Sequence, residues 1–443
     1  MEISSQTRCM KDSLICIDYD FSSNDILRDD YIDIDNGIRI AKMLSDMDAI
    51  AGIVAYRHYD RNFSHIIDGL CDAHDDKASE HNIKIYSNFS SLHSKIKSLV
   101  QSKQIKLSTL IVTAAVDRIK WMNHPSIHDQ LRMYAMVTFV GTSSMEVTIC
   151  LIKLPLHDES LNLLNIDISM IVSMACFTMA ARSMETRGPD PVPRLSSTST
   201  EEIQCYNLSK LRRSRRTESL SKSLSDLIIV DATCNVDHGS ICSVTIANEL
   251  SSLSSSSTDH RTLRDDSDSN GNRGGEPISK CTMRATYFCH PQDKNIHGVM
   301  FGGYLMRIAY ELCFSNVCAF SDQIPTFISI DEIQFKAPVP TGSILLLESR
   351  IVHVDDQESK IHVAAASRIS DGVNHSKSLT NTFHFVFQAK RSIKLPDLIP
   401  KNEYELALQA NCIKRSESNV DDDKHANLLH WSHLLFSIIY DDS

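Results

Sequence analysis

No stretch of about 18 consecutive apolar residues occurs in the chain, so no segment has the makings of a membrane-spanning helix. The longest candidate, Ile168 to Ala181, is interrupted by Ser169, Ser173 and Thr178 and reads better as a buried strand. Basic residues are outnumbered, 45 Lys and Arg against 56 Asp and Glu. A net charge of −11 denies the chain the cationic surface that a general nucleic-acid partner needs. Among the 13 cysteines there is no C-x-x-C pair and no His/Cys ligand spacing. That pattern excludes a zinc site or a disulfide framework and points to reduced thiols of an intracellular compartment. A Gly-x-Ser-x-Gly elbow is also missing, which disfavours serine-hydrolase chemistry. The N-terminus lacks an apolar core for secretion, and Glu2, Asp12, Asp18 and Asp20 make it too acidic for a mitochondrial transit peptide.

What is present is a core-forming composition, 42% hydrophobic over 443 residues, enough for two or three domains. From about Arg194 to Lys280 the composition turns to Ser, Thr, Asn, Asp and Gly. Such a stretch cannot bury enough apolar surface to offset its ordering entropy and is expected to be a mobile linker. Only Leu227 to Val230 looks able to form local structure. The run Arg212-Arg213-Ser214-Arg215-Arg216-Thr217 reads as a solvated basic loop, with a kinase site as the alternative.

The linker separates two halves that look alike. Ile38 to His58 is helical by pattern, with Ile40, Met43, Leu44, Met47, Ile50 and Val54 at helical spacing. Strand-like runs follow at Leu110 to Ile119, Leu131 to Val140, Met145 to Lys153 and Ser169 to Arg182. The second half repeats the order: a helix from Gly303 to Phe320, then Thr326 to Phe335, Ile344 to Val354, Ile361 to Ile369 and Leu379 to Phe387. A polar insertion, 59–107, occurs only in the first half. A long helix followed by an antiparallel meander, twice over, predicts an α+β fold of two hotdog domains forming a pseudo-dimer. The expected division is an N-terminal segment 1–30, a first domain 31–183, a Ser-rich linker 184–280, a second domain 281–405 and a C-terminal tail 406–443. Leu428, Leu429, Trp431, Leu434, Leu435, Ile438 and Ile439 make that tail an amphipathic helix suited to docking on the body.

The segment richest in chemistry runs Asp293-Lys-Asn295-Ile-His297-Gly298-Val-Met-Phe301-Gly302-Gly303 into the second helix. Paired glycines at a helix start admit a close approach, and the N–H groups of the first turn suit a developing oxyanion. Asn295-Ile-His-Gly298, Phe301-Gly-Gly-Tyr-Leu-Met-Arg307-Ile-Ala-Tyr-Glu311 and Asp331-Glu-Ile-Gln-Phe-Lys-Ala-Pro-Val resemble the second hotdog domain of the mitochondrial acyl-coenzyme A thioesterase 9 family. Asn36-Gly-Ile-Arg39 through Asp46-Met-Asp48-Ala-Ile-Ala-Gly52 resembles the first helix of that family, and Val137 to Val147 its central hairpin.

The resemblance implies hydrolysis of fatty acyl-CoA to free acid and coenzyme A, with no cofactor because coenzyme A is part of the substrate. It also implies a mitochondrial location, with the cytoplasm as the alternative, and a homo-oligomer, for which a trimer of tandem chains is one form. By the same resemblance the catalytic pair is split between the halves, the amide falling on Asn295 and the carboxylate on Asp48, which would either activate a water or attack the thioester directly to form a mixed anhydride. Gly302 and Gly303 would offer backbone N–H groups to the oxyanion. The mirror-image positions have diverged: Tyr310 stands where a second carboxylate would align and Ile40-Ala41 where second glycines would. One competent site per chain is therefore expected.

The residues give Asp48 some support of their own. Its helical neighbours Leu44, Ser45, Ala51 and Gly52 are small and uncharged, as at a packed interface. A desolvated carboxylate there would have a raised pKa, toward the range of a general base. Asp46, near Lys42 and Ile50, reads as the ordinary surface residue. Glu311 is expected to pair with Arg307 one turn away, and Asn295 alone could equally cap its own turn. Two other readings are open. One is a hotdog enoyl-CoA hydratase, faintly echoed by Asp293-Lys-Asn295-Ile-His297; the other is a non-catalytic acyl-CoA-binding or scaffold protein.

Overall fold

The computed structural model describes residues 6–71, 85–86, 89–117, 119–155, 167–222, 275–295, 298–331, 333–370, 377–390, 394–425 and 428–440. Leu227 to Val230 and His297 lie outside the described residues.

One sheet of 13 strands runs through both halves. The first half supplies β1 (Ile15–Asp20), the short β2 (Ile85–Tyr86), β3 (Thr109–Val116), β4 (Ile119–Trp121), β5 (Gln130–Val140), β6 (Ser144–Leu154) and β7 (Ile171–Ser183). The second supplies β8 (Thr282–Phe288), β9 (Thr326–Ile330), β10 (Ile333–Phe335), β11 (Ile344–Asp355), β12 (Lys360–Ser370) and β13 (Lys377–Gln388). The spatial order is β8-β11-β12-β13-β9-β4-β7-β6-β5-β1-β2, with β3 and β10 pairing beside the centre. The halves join at a seam where β4 pairs β9 and β3 pairs β10, both antiparallel. On each side of the seam the order is the same, so the sheet has a pseudo-two-fold relation at its middle.

Helix α2 (Ile40–Tyr59) belongs to the first half and α6 (Gly302–Ser321) to the second. They pack on the sheet and against each other. Of the 20 residues of α2, 17 are buried, which is why its sequence is apolar nearly all round. Opposite α6, Phe383, Phe385 and Phe387 alternate along β13 as the sequence predicts, all fully buried. Two tandem hotdogs are thus present, each a long helix held by an antiparallel sheet.

Six α-helices among the described residues lie outside that plan. The N-terminal segment contributes β1, paired with β5 through six residues, and α1 (Asp25–Tyr31), so it is part of the first hotdog. The polar insertion carries α3 (Arg61–Asp68) and α4 (Phe89–Gln101). The linker expectation is corrected at its start, where α5 (Thr200–Lys222) forms. Its N-terminus is a capping box: Ser199 Oγ accepts from Glu202 N at 3.1 Å, and the Glu202 carboxylate accepts from the backbone N–H groups of Thr198 and Ser199. The basic run therefore sits on a helix, and Arg212 reaches the buried Glu146 at 2.6 Å instead of being a solvated loop residue. Average composition hid a docking face made of Cys205, Ser209 and Arg212.

In the tail, α7 (Glu403–His425) lies on β11. It is followed by α8 (Leu428–Tyr440), which docks as expected, with Leu434, Leu435, Phe436, Ile438 and Ile439 buried. Of these, Leu435, Phe436, Ile438 and Ile439 join Met10, Tyr134, Met136, Cys150, Ile152 and Cys205 in a second core on the outer face of the first half. This explains why β5 is buried on both sides and reads as an almost continuous apolar run.

Candidate active site

Asp48 lies on α2 where that helix meets the start of α6, and only 1% of it is exposed. Its Oδ1 accepts a hydrogen bond from Thr113 Oγ1 at 2.6 Å, and its Oδ2 accepts one from Gly303 N at 2.6 Å. Phe301, the residue that opens α6, has no side chain able to cap it. The first half supplies the missing acceptor: Asp48 caps a helix 255 residues downstream. Burial pushes the Asp48 carboxyl up to about 6, while the bonds from Thr113 and Gly303 hold it down.

The paired glycines are dictated by this crossing. A Cβ on Gly303 would stand 2.8 Å from Ser45 Cα and from Ser45 O. On Gly302 it would stand 3.0 Å from Asp48 Oδ2 and 3.2 Å from the Phe335 ring. The Gly303 N–H, offered by the sequence reading to an oxyanion, is here the donor that orients the carboxylate. Gly302 is the first residue of the helix, so its N–H has no intrahelical partner.

Asn295 lies half-buried on the loop that leads into α6. Its Oδ1 accepts from Val299 N at 3.3 Å, and its backbone N–H donates to Val299 O at 2.8 Å. The structure therefore brings together Asp48, Gly302 and Gly303. Asn295 is near the two glycines in sequence but is not among the hydrogen-bond partners of Asp48.

Thr113 escaped the sequence reading because threonine is an ordinary strand residue. Its structural mark is a register shift between Thr113 and Ala115 against β7, a bulge of the kind that re-aims side chains beside active sites. Asp46 is not the surface residue its sequence neighbours suggest. It is buried, takes hydrogen bonds from the Tyr19 and Tyr31 hydroxyls, and is pushed up to about 7 by desolvation. Glu311 pairs with Arg39 of the first half, not with Arg307, whose guanidinium lies 5.3 Å from the Tyr304 ring centre. The halves approach each other so closely here that the opposite half offers the better partner.

The pseudo-two-fold relation also locates the mirror-image site. The seam pairs Val116 with Ile333 and Ile330 with Ile119, which makes Val116 and Ile330 equivalent. Thr113 then corresponds to Phe327, and the register shift recurs between Phe327 and Ser329. Tyr310 corresponds to Asp48, each eight residues into its helix. Tyr310 packs edge-on to Phe327 with ring centres 5.2 Å apart, and Phe327 lies 6.1 Å from Trp121. Carboxylate, hydroxyl and glycines have become tyrosine, phenylalanine and Ile40-Ala41. An apolar cluster stands where a second reacting group would be.

A family model for the thioesterase superfamily matches residues 297–366, which contain α6 and most of the sheet that holds it. Mitochondrial acyl-coenzyme A thioesterase 9 from Mus musculus and from Homo sapiens are each 27% identical over 402 residues, 90% of this chain and 76% of theirs. The chain is similar to the acyl-coenzyme A thioesterase 9 family over nine-tenths of its length. Another protein like this tandem hotdog is the chloroplastic acyl-coenzyme A thioesterase 2 of Humulus lupulus, 25% identical over 90% of this chain and 79% of its own. These likenesses span both halves, and so cover both partners of the Asp48–Gly303 contact.

Proposed function

We propose that this enzyme hydrolyses fatty acyl-CoA thioesters to free acid and coenzyme A at a single site between its two halves. The observation that carries the site is the buried Asp48 carboxylate held by Thr113 and by Gly303 of the opposite half. A carboxyl raised to about 6 is ionised at neutral pH yet more basic than an exposed aspartate, which is what a general base requires.

In this scheme Asp48 takes a proton from a water molecule as its oxygen attacks the thioester carbon. The N–H of Gly302 stabilises the oxyanion, and Asn295, from the loop before α6, orients the thioester. Collapse breaks the C–S bond, and the proton passes to the departing thiolate, a good leaving group that needs no strong acid. No cofactor takes part. The likeness to the named relatives also supports a mitochondrial location, which subcellular fractionation of the tagged protein tests. A homo-oligomer of tandem chains is proposed on the same ground, with light scattering as its measurement.

The deciding experiment is thiol release from a panel of acyl-CoAs by wild type and Asp48→Asn. We expect turnover by wild type and a loss of about 10²–10⁴-fold in the variant, the usual share of a general base. No release of thiol by wild type from any acyl-CoA would end the thioesterase reading. Full activity of Asp48→Asn would leave the reaction standing and move the site elsewhere.

A further inference from the structure

Helix α2 is covered almost everywhere, and the three residues not buried are Lys42, Ser45 and Gly52. Ser45 and Gly52 lie three before and four after Asp48, on the same helical face. Facing them, β3 is buried at both ends and reaches solvent only at Val112, Thr113 and Ala114, beside the bulge. The part of the Asp48 face of α2 that is not buried thus runs from Ser45 to Gly52, beside the part-exposed middle of β3.

Gly52 is a costly residue for this place, since glycine inside a helix is about 1 kcal/mol worse than alanine. Close packing does not require it: a Cβ built there meets no atom within 4 Å. One turn further, Tyr56 closes the face, its hydroxyl accepting from Ile111 N at 3.0 Å and donating to Thr109 O at 3.3 Å. From Asp48 to Tyr56 the helix rises about 12 Å.

The mirror-image site shows what happens to this space when no substrate has to pass. The residue equivalent to Gly52, twelve positions into α6, is Phe314. Its ring stacks on Tyr310 at 6.0 Å and meets Phe387 edge-on at 6.1 Å. A large side chain is therefore sterically possible at this point of the fold, and the side that carries the carboxylate has none.

We propose that Gly52 keeps open the channel that receives the acyl chain as it leaves the reacting carbon at Asp48, with Tyr56 as its closed end. Of the polar groups on these walls, Thr113 is committed to Asp48 and the Tyr56 hydroxyl to the backbone of β3, and Ser45 lies on the far side of Asp48; between Asp48 and Tyr56 the walls therefore suit a hydrocarbon chain and not the charged coenzyme. The coenzyme leaves on the solvent side. This inference rests on the acyl-CoA thioesterase reading above and makes Gly52 a specificity-determining residue for that reaction.

The test compares wild type, Gly52→Ala and Gly52→Leu in two measurements. The first is the ratio of kcat/KM for palmitoyl-CoA to that for acetyl-CoA. The second is the ratio of affinities for the non-hydrolysable hexadecyl-CoA thioether and for free coenzyme A, which needs no turnover. Gly52→Leu is expected to lower both ratios by about tenfold or more, the scale on which an apolar pocket discriminates. Gly52→Ala should shift them the same way by less while melting at a higher temperature than wild type, because the helix gains and nothing is struck. Unchanged ratios in a folded Gly52→Leu, or in Gly52→Ala if the leucine variant does not fold, would overturn the channel. Absent turnover with the thioether ratio still falling would sink the hydrolase reading and leave the channel in place.

Discussion

Asp48 Oδ2 accepts the backbone N–H of Gly303 at 2.6 Å, across 255 positions of sequence. One contact thereby caps the helix of the second half and orients the carboxylate of the first.

The partner at the other oxygen gives the sharpest kinetic prediction. In the scheme proposed here the active form of Asp48 is the ionised one, so kcat/KM should rise with pH through about 6 and then level off. The Thr113 hydroxyl favours that ionised form. Thr113→Val removes a hydrogen bond to a charged acceptor, so the acid limb should move up by about 1–2 pH units. A pH–rate profile checks this, and an unmoved midpoint would separate Thr113 from the titrating group.

Asp46 should show itself in stability. Its folded-state pKa, about 7, lies above the ordinary carboxyl value, so the folded state favours the protonated form. That contribution is complete below about pH 4 and is lost as pH rises from about 4 to 7. Asp46→Asn keeps a neutral group at the Tyr19 and Tyr31 hydroxyls. The variant should lose less stability than wild type over that window, by on the order of a few kcal/mol. Urea unfolding at pH 4, 5.5 and 7 is the measurement. Parallel curves for the two proteins would contradict the buried, protonated assignment.

Substrate stoichiometry tests the asymmetry of the halves. Isothermal titration with an acyl-CoA thioether should saturate at one equivalent per chain, because Tyr310, Phe327 and Trp121 occupy the mirror-image site. Two equivalents would show that the aromatic cluster opens to ligand.

The outer face of the first half depends on chain ends that a domain-by-domain description sets aside. Phe436 is 1% exposed and meets the Tyr134 ring edge-on at 5.1 Å, and Tyr134 in turn shares a hydrogen bond with Tyr440 at 2.8 Å. Phe436→Ala should cost about 3–5 kcal/mol of stability, as for other buried aromatics. Thermal and denaturant melts would show it, and a loss below about 1 kcal/mol would mean that α8 is not part of the cooperative fold.

The elements that rest on local periodicity were legible in the sequence: both long helices and the meander strands appear within a few residues of their expected limits. Asp48 could be picked out because the small residues that allow close packing lie on its own helix. Partners that arrive from elsewhere were hidden. Nothing near Asp46 announces Tyr19 and Tyr31, and Arg39 lies 272 positions from Glu311. Thr113 looked like any strand threonine, since a bulge is a property of two paired strands and not of one. For α5 the cue existed, Ser199 with Glu202 three residues later, but the polar composition around it outweighed the cap.

The seam through the middle of the sheet has a consequence for how the enzyme comes into being. Strands β3 and β4 of the first half find their partners β10 and β9 only after some two hundred further residues, and such distant pairings form late. Residues 302 and 303 must then dock on residues 45–48 before the carboxylate has its donor. A nascent chain that ends short of α6 holds Asp48 without its counterpart, so in the scheme proposed above hydrolysis waits until the last helix of the pair has closed.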